Sequence, residues 1–263
     1  MKILLIHSSY RTNGNTARVI RLFEENFLQL SNKWNTNIQV ETVSLAHSSI
    51  ELCKGCRSCF DRGEEKCPLK DDVLQIQRKM IEANAFVIAS PVYVEDVNGI
   101  MKNWVDRMAF NCHRPIFYGK TALVLSTSAM GSSNHTLRTM HAALTAWAVK
   151  IAGRMKFRLG ALSDTDQIRS LYGEQIHRQS EMLVRSLLDG SAQKPSFYSL
   201  MAFAVQQRYW LKNKEYQNTY DYEYWLKQNW LKKECTYYTE KKAAALKVKF
   251  ARLTAKIIMA FLR

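Results

Sequence analysis

Several short stretches of this chain carry side chains whose type and spacing could do chemistry. The first is Ser8-Ser9-Tyr10-Arg11-Thr12-Asn13-Gly14-Asn15-Thr16, which runs straight into a helical pattern. Hydroxyls, amides, one Arg, a glycine and a helix N-terminus together offer the donors and the positive end that a phosphate monoester needs. The alternative is a turn whose Ser and Asn only cap the helix. Neither a G-x-x-x-x-G-K-[ST] nor a G-x-G-x-x-G loop occurs, which argues against a nucleoside triphosphatase and a dinucleotide fingerprint. The second stretch, Ser90-Pro91-Val92-Tyr93-Val94, leaves an apolar run and leads through Gly99 to Asp106-Arg107. A Pro-stiffened turn with an aromatic edge can hold a flat ring by backbone donors and stacking.

The third stretch is Cys53-Lys54-Gly55-Cys56-Arg57-Ser58-Cys59, followed by Cys67-Pro68. Thiolates at three-residue steps surround one concave turn, and a further Cys before Pro parallels the ferredoxin pattern for a cubane cluster. Zinc usually takes two separated C-x-x-C knuckles. Three alternatives stand for Cys53, Cys56, Cys59 and Cys67: a [4Fe-4S] cluster, reduced thiols that pack or exchange electrons, and zinc. Cys112-His113-Arg114-Pro115 could meet a phosphate or a quinone oxygen, or cap helix carbonyls. His7, His135, His141 and His177 show no ligand spacing, and His7 at a strand end is expected to be packed.

The elements that must position these groups follow from the hydrophobic period. It predicts strands over 2–6, 38–43, 85–89, 121–126 and 156–160, and helices over 16–30, 71–82, 99–109, 136–150 and 166–188. Regular alternation with apolar strands predicts an α/β, doubly wound, five-stranded parallel sheet covered on both faces. Ligands then sit beyond the carboxyl ends of the strands, where strand order reverses. That geometry adds the loop after the fourth strand, Thr127-Ser128-Ala129-Met130-Gly131-Ser132.

A hydrophobic fraction of 47% and a charged fraction of 23% over 263 residues exclude disorder and collagen-like structure. No stretch of about 18 uncharged apolar residues occurs, and the first apolar run lacks a cleavage site, so a cytoplasmic protein is expected. The net charge of +15 is uneven: positions 191–263 hold 14 basic and 5 acidic residues, a net of +9. Of the 29 aromatics, 13 lie in 197–238. A break near Asp189, Gly190 and Lys194-Pro195 therefore divides a domain over 1–190 from a basic, aromatic-rich, mainly helical extension over 191–263.

Glu215, Asp221, Glu223 and Glu234 interrupt the positive charge of that extension, which argues against nucleic-acid binding. Positions 241–263 contain no acidic residue. Leu246, Phe250, Leu253, Ile257 and Phe261 recur at helical spacing, and Lys242, Lys249, Arg252, Lys256 and Arg263 line another face. Such a helix packs on its own domain or a second subunit, or lies on an anionic membrane as a peripheral contact.

On these residues the chain resembles the NADPH-dependent FMN reductase family, whose fold is flavodoxin-like. Ser9, Arg11, Asn13, Gly14, Asn15 and Thr16 are similar to its flavin-phosphate loop. The run from Ser90 to Gly99 and Asp106-Arg107 resembles its loop against the isoalloxazine ring. Asp221-Tyr222-Glu223-Tyr224-Trp225 with Trp230-Leu231 is similar to the extension of longer members. Where the family often has Gly-Ser-Pro-Arg, this chain has Ser8-Ser9-Tyr10-Arg11.

The resemblance implies noncovalent FMN, with Pro91, Val92, Tyr93 and Val94 on the ring and Thr127, Ser128 and Gly131 at its pyrimidine edge. It implies hydride transfer from NAD(P)H, then electron transfer to a quinone, nitro or azo compound, metal ion or redox protein. Hydride transfer to a flavin requires no protein acid, base or nucleophile, so no catalytic dyad is assigned. The cysteine segment resembles the iron-sulfur flavoprotein branch, in which a cluster exchanges electrons with FMN. The alternatives are an FMN/iron-sulfur electron-transfer protein serving a protein partner, and a flavin-free interaction protein. A homo-oligomer, such as a dimer, is also implied.

Overall fold

Ile3, Leu4, Leu5 and Ile6 are all fully buried, because their strand lies at the centre of a sheet covered on both faces. The computed structural model describes residues 1–190, 195–239 and 243–261. In chain order the sheet-forming part consists of β1 (Lys2–His7), α1 (Asn15–Lys33), β2 (Gln39–Ser44), α2 (Ser58–Asp61), α3 (Val73–Glu82), β3 (Ala85–Tyr93), β4 (Asp96–Val97), α4 (Gly99–Arg107), β5 (Thr121–Ser128), α5 (Asn134–Ala146), β6 (Lys150–Arg158) and α6 (Thr165–Leu188).

Five strands are parallel in the order β2-β1-β3-β5-β6, the flavodoxin-like order, with its reversal between β1 and β3. A sixth, two-residue strand is added to the expected five: β4 folds back antiparallel on β3. Val94 and Glu95, both at positive φ (48° and 67°), form its two-residue turn, the backbone shape that matches hairpin twist. Phe23, Phe27, Leu123 and Phe157 form the core on one face, and Phe86, Trp104, Leu137 and Trp147 on the other.

Boundaries depart from the sequence expectation at two places above all, and the first is β3, which runs on to Tyr93 where a loop was expected from Ser90. The helix predicted over 136–150 stops at Ala146, and the last strand begins at Lys150 rather than at 156. Trp147, Ala148 and Val149 continue the apolar pattern, but Trp147 is buried in the core and Ala148 takes φ 64°, which ends the helix. β6 is an edge strand whose exposed Arg154, Lys156 and Arg158 alternate with buried Met155 and Phe157. Lys150, Gly153 and Arg154 interrupt its first half, which concealed that half from a search for apolar strands.

The extension contains α7 (Phe197–Lys212), α8 (Tyr220–Lys227) and α9 (Ala245–Phe261). Phe203, Trp210, Trp225, Trp230, Tyr237 and Tyr238 gather with Ala148 into a separate buried cluster. α7 and α9 pack together, and Ala204, Ala251 and Ala255 are buried, small residues that allow close backbone approach. The row Leu246, Phe250, Leu253, Ile257 and Phe261, expected to meet either protein or an anionic membrane, faces outward. Lys242 and Arg263 of the expected basic face, and Lys194 of the expected boundary, lie outside the described residues. No helix among the described residues is long and apolar enough to cross a membrane.

Candidate functional site

The reversal between β1 and β3 opens a crevice of about 250 Å³, lined by Ser9, Arg11, Gly14, Asn15 and Thr16 from the first loop. Pro91, Val92 and Tyr93 line it from the end of β3, and Thr127 and Ser128 from the end of β5 with Ala129 just beyond it. Three loops far apart in sequence thus meet at one end of the sheet, because parallel strands deliver all their C-termini there.

Hydrogen bonds fix their mutual positions. Thr16 Oγ1 lies 2.7 Å from Thr127 Oγ1, and Ser8 Oγ donates to Ser90 Oγ at 3.2 Å. Asn98 Nδ2 donates to Ser8 O at 2.6 Å while its Oδ1 accepts from Met101 N, so the residue capping α4 also holds the first loop. Ser9 N donates to His7 Nδ1 at 3.3 Å. Burial, with the nearby His47 and Arg21 charges, holds the His7 imidazole down at about 4, so it is neutral and available as an acceptor.

The arrangement favours an anion. α1 opens on Gly14 without a side-chain cap and has no acidic residue in its first turn, leaving its N–H groups free for a ligand. A Cβ on Gly14 would lie 2.8 Å from Arg11 Cβ, so only glycine permits this close loop path. These features fit an FMN phosphate and the face of its ring.

Three sequence candidates lie outside the pocket lining. Asn13 Oδ1 accepts from Arg21 Nη2 at 3.3 Å, Val94 is fully exposed at the hairpin tip, and a Cβ placed on Gly131 would lie 3.7 Å from Val92 Cγ1. Sequence reasoning missed Gly160 and Ala161. The signal was a glycine after the last strand, here at φ 61°, overlooked because that strand was placed too late. Asn15 ties this segment in, accepting from Ser163 N at 2.9 Å and donating to Gly160 O at 3.4 Å.

Cys53, Cys56, Cys59 and Cys67 line a second cavity of about 90 Å³ together with Arg107. Gly55 and Arg57 at φ 63° and 61° coil the segment tightly. Cys53 and Cys56 are exposed, whereas Cys59 and Cys67 are partly buried, and burial pushes the Cys59 thiol up to about 11. Arg107 Nη2 lies 4.0 Å from Cys67 Sγ and 3.0 Å from Asp71 Oδ1. Burial raises the Asp71 carboxyl, but the Arg107 guanidinium and the Glu51 and Val73 N–H groups outweigh it and leave a net lowering. Four thiols and a cation on one small cavity suit an anionic iron-sulfur cluster. Among the described residues, no group of three or more His, Cys, Asp or Glu is arranged to hold a metal ion.

His113 and Arg114 meet neither cavity. His113 Nδ1 lies 2.5 Å from Asp221 Oδ2 and Arg114 Nη1 donates to Asp221 Oδ1. Arg114 Nη2 donates to Glu64 Oε2 at 2.7 Å and to Cys59 O at 3.1 Å, while Trp225 Nε1 donates to His113 O at 2.6 Å. The pair clamps the extension to the cysteine segment.

The chain is similar to several known proteins. An iron-sulfur flavoprotein of Archaeoglobus fulgidus is 30% identical over 154 residues, covering 58% of this chain and 66% of that protein. Another from Methanocaldococcus jannaschii is 32% identical over 148 residues, covering 54% and 70%. The chain therefore spans about two thirds of the length of these relatives. Among solved structures, a flavone reductase superposes with TM-score 0.55 at 15% identity, covering 74% of this chain and 66% of the other. RosB, with 8-demethyl-8-formylriboflavin 5'-phosphate bound, gives 0.52 at 14% identity over 70% and 76%. At such identities the likeness concerns the fold. The family model described as NADPH-dependent FMN reductase matches residues 1–156, and with the switch-point crevice and its uncapped helix the chain belongs to the NADPH-dependent FMN reductase family.

Proposed function

We propose that the crevice holds FMN and that the protein is an NAD(P)H-dependent oxidoreductase. The observation that carries this is the convergence of three strand-end loops on an uncapped helix N-terminus. Arg11, Ser9, Asn15 and Thr16, with the first N–H groups of α1, hold the phosphate. Pro91, Val92 and Tyr93 support the ring, and Thr127 and Ser128 approach its polar edge. Asn13, Val94 and Gly131 act at one remove: Asn13 steadies Arg21, Val94 shapes the hairpin, and Gly131 backs Val92. Bound FMN supplies two-electron chemistry with the nicotinamide and its release to a quinone, nitro or azo compound, metal ion or redox protein. The chain's own part is to bind, orient and desolvate.

The four-cysteine cavity favours a second cofactor, a [4Fe-4S] cluster on Cys53, Cys56, Cys59 and Cys67, with Arg107 offsetting its charge. The relatives' name, iron-sulfur flavoprotein, supports this reading. Residues 1–190 form the flavin-binding unit and 191–263 the extension. The protein acts in the cytoplasm, where free thiols persist, as a homo-oligomer. The test is anaerobic: purified, flavin-loaded protein is mixed with NADH or NADPH while the flavin band is followed, and iron is quantified. Bleaching by either nucleotide supports the reductase. No bleaching, with about four irons per chain, leaves an electron-transfer protein serving a partner.

A further inference from the structure

Helix α9 turns its bulky side chains away from the protein. Ala251 and Ala255 are fully buried, whereas Leu246, Phe250, Leu253, Ile257 and Phe261 are 52% to 84% exposed. With 3.6 residues per turn, these five fall in a sector of about 80° on the side away from the alanines, a stripe about 22 Å long. Lys249 and Lys256, both exposed, border it along one side. Lys247 stands at the other side, its Nζ donating to Pro195 O at 2.9 Å. Arg252 is turned inward, donating to Lys233 O at 2.9 Å. Residues 243–261 contain no Asp or Glu.

Two surfaces could cover such a stripe, and charge separates them. A second copy docked stripe to stripe about a two-fold axis would set Lys249 and Lys256 against their equivalents when the helices run antiparallel, or against the Lys247 border when they run parallel, with no carboxylate on the helix to offset them. An anionic lipid surface meets both features, since apolar side chains enter the headgroup boundary while flanking lysines face lipid phosphates. Docking of α9 on α7 also pre-forms the helix, so no coil-to-helix ordering opposes binding. We propose that α9 is a peripheral membrane-docking element that seats the protein on anionic bilayers. The inference is independent of what the two cavities hold.

The experiment uses the full chain with vesicles of phosphatidylcholine alone or mixed with roughly one third phosphatidylglycerol, read by flotation. Wild-type protein floats with the anionic vesicles and not with the neutral ones. The bound fraction drops several-fold as salt rises from about 0.05 to about 0.5 M. Phe250→Ser with Leu253→Ser, and separately Lys249→Glu with Lys256→Glu, each weaken binding by about tenfold or more. Both variants change exposed side chains, and an unaltered thermal midpoint shows that the fold persists. No flotation, equal flotation with neutral vesicles, or variants that float like wild type overturn the proposal. So does a non-floating protein whose concentration-dependent dimer in light scattering is abolished by the Ser variant, which would give the stripe to a second copy.

Discussion

Arg114 and Asp221, 107 residues apart, form an ion pair in which each side chain is only 2% exposed. Arg114 also holds Glu64 and the carbonyl of Cys59. One guanidinium thus joins the extension, the cysteine segment and the turn after α4, which makes the extension part of the cooperative fold.

Removing Asp221 leaves Arg114 charged and buried with Glu64, itself partly exposed, as its remaining carboxylate. Asp221→Ala is expected to cost about 3–5 kcal/mol in urea unfolding. The double change Arg114→Met with Asp221→Leu is expected to cost less than Asp221→Ala alone, because both fully buried charges go together and only the partly exposed Glu64 loses its cation. A loss below about 1 kcal/mol for Asp221→Ala would mean that the pair is solvated.

The hydroxyls of Thr16 and Thr127 sit 2.7 Å apart at the base of the crevice. Thr127→Val removes one of them and is expected to weaken FMN binding about fivefold to tenfold, the equivalent of one neutral hydrogen bond. Arg11→Ala, which removes a charged partner of the phosphate, is expected to weaken it about tenfold to a hundredfold. Quenching of flavin fluorescence on titration measures both, and equal affinities for wild type and Arg11→Ala would move the phosphate elsewhere.

His7 is neutral in the fold, its imidazole held down at about 4 by burial. The unfolded chain binds this proton near pH 6.5 and the folded chain does not, so stability is full above that pH. It falls as pH drops from about 6.5 towards 4, by at most about 3 kcal/mol from this group. His7→Asn keeps an acceptor for Ser9 N–H and removes the titration. Unfolding free energies measured at pH 7, 5.5 and 4.5 should therefore decline less steeply in the variant, and parallel curves would refute the assignment.

In iron-free, reduced protein, exposure orders the thiols. Cys53 and Cys56 are exposed, while Cys59, Cys67, Cys112 and Cys235 are partly covered. Iodoacetamide followed by peptide mass mapping is expected to label Cys53 and Cys56 first. Early labelling of Cys112 would show that the segment around the Arg114 clamp opens.

The sheet was legible because its central strands are continuous apolar runs such as Ile3–Ile6 and 85–89, which only a doubly covered parallel sheet requires. The crevice followed from topology, since Ser9, Pro91 and Thr127 each lie at or just beyond a strand's end. The partners of charged residues were not legible. Nothing local in His113-Arg114 announces Asp221, which arrives through tertiary packing. The outward stripe of α9 was hidden for a related reason, because its period marks an apolar face without saying that alanines, not leucines, meet α7. Gly160 was missed through a strand whose exposed cations broke the apolar pattern.

That same pattern has a colloidal consequence. Among the described residues no further strand pairs with β6 at the margin of the sheet, where Tyr172 Oη accepts from Arg158 N at 3.1 Å and donates to Arg158 O at 3.4 Å, and a sheet edge is a template for strand addition. Arg154, Lys156 and Arg158 stand at every second residue along it. A strand from another copy of β6 would have to lay its own cations beside them. The margin therefore discourages ladder growth, and fibril seeding from this edge is opposed by charge at each step.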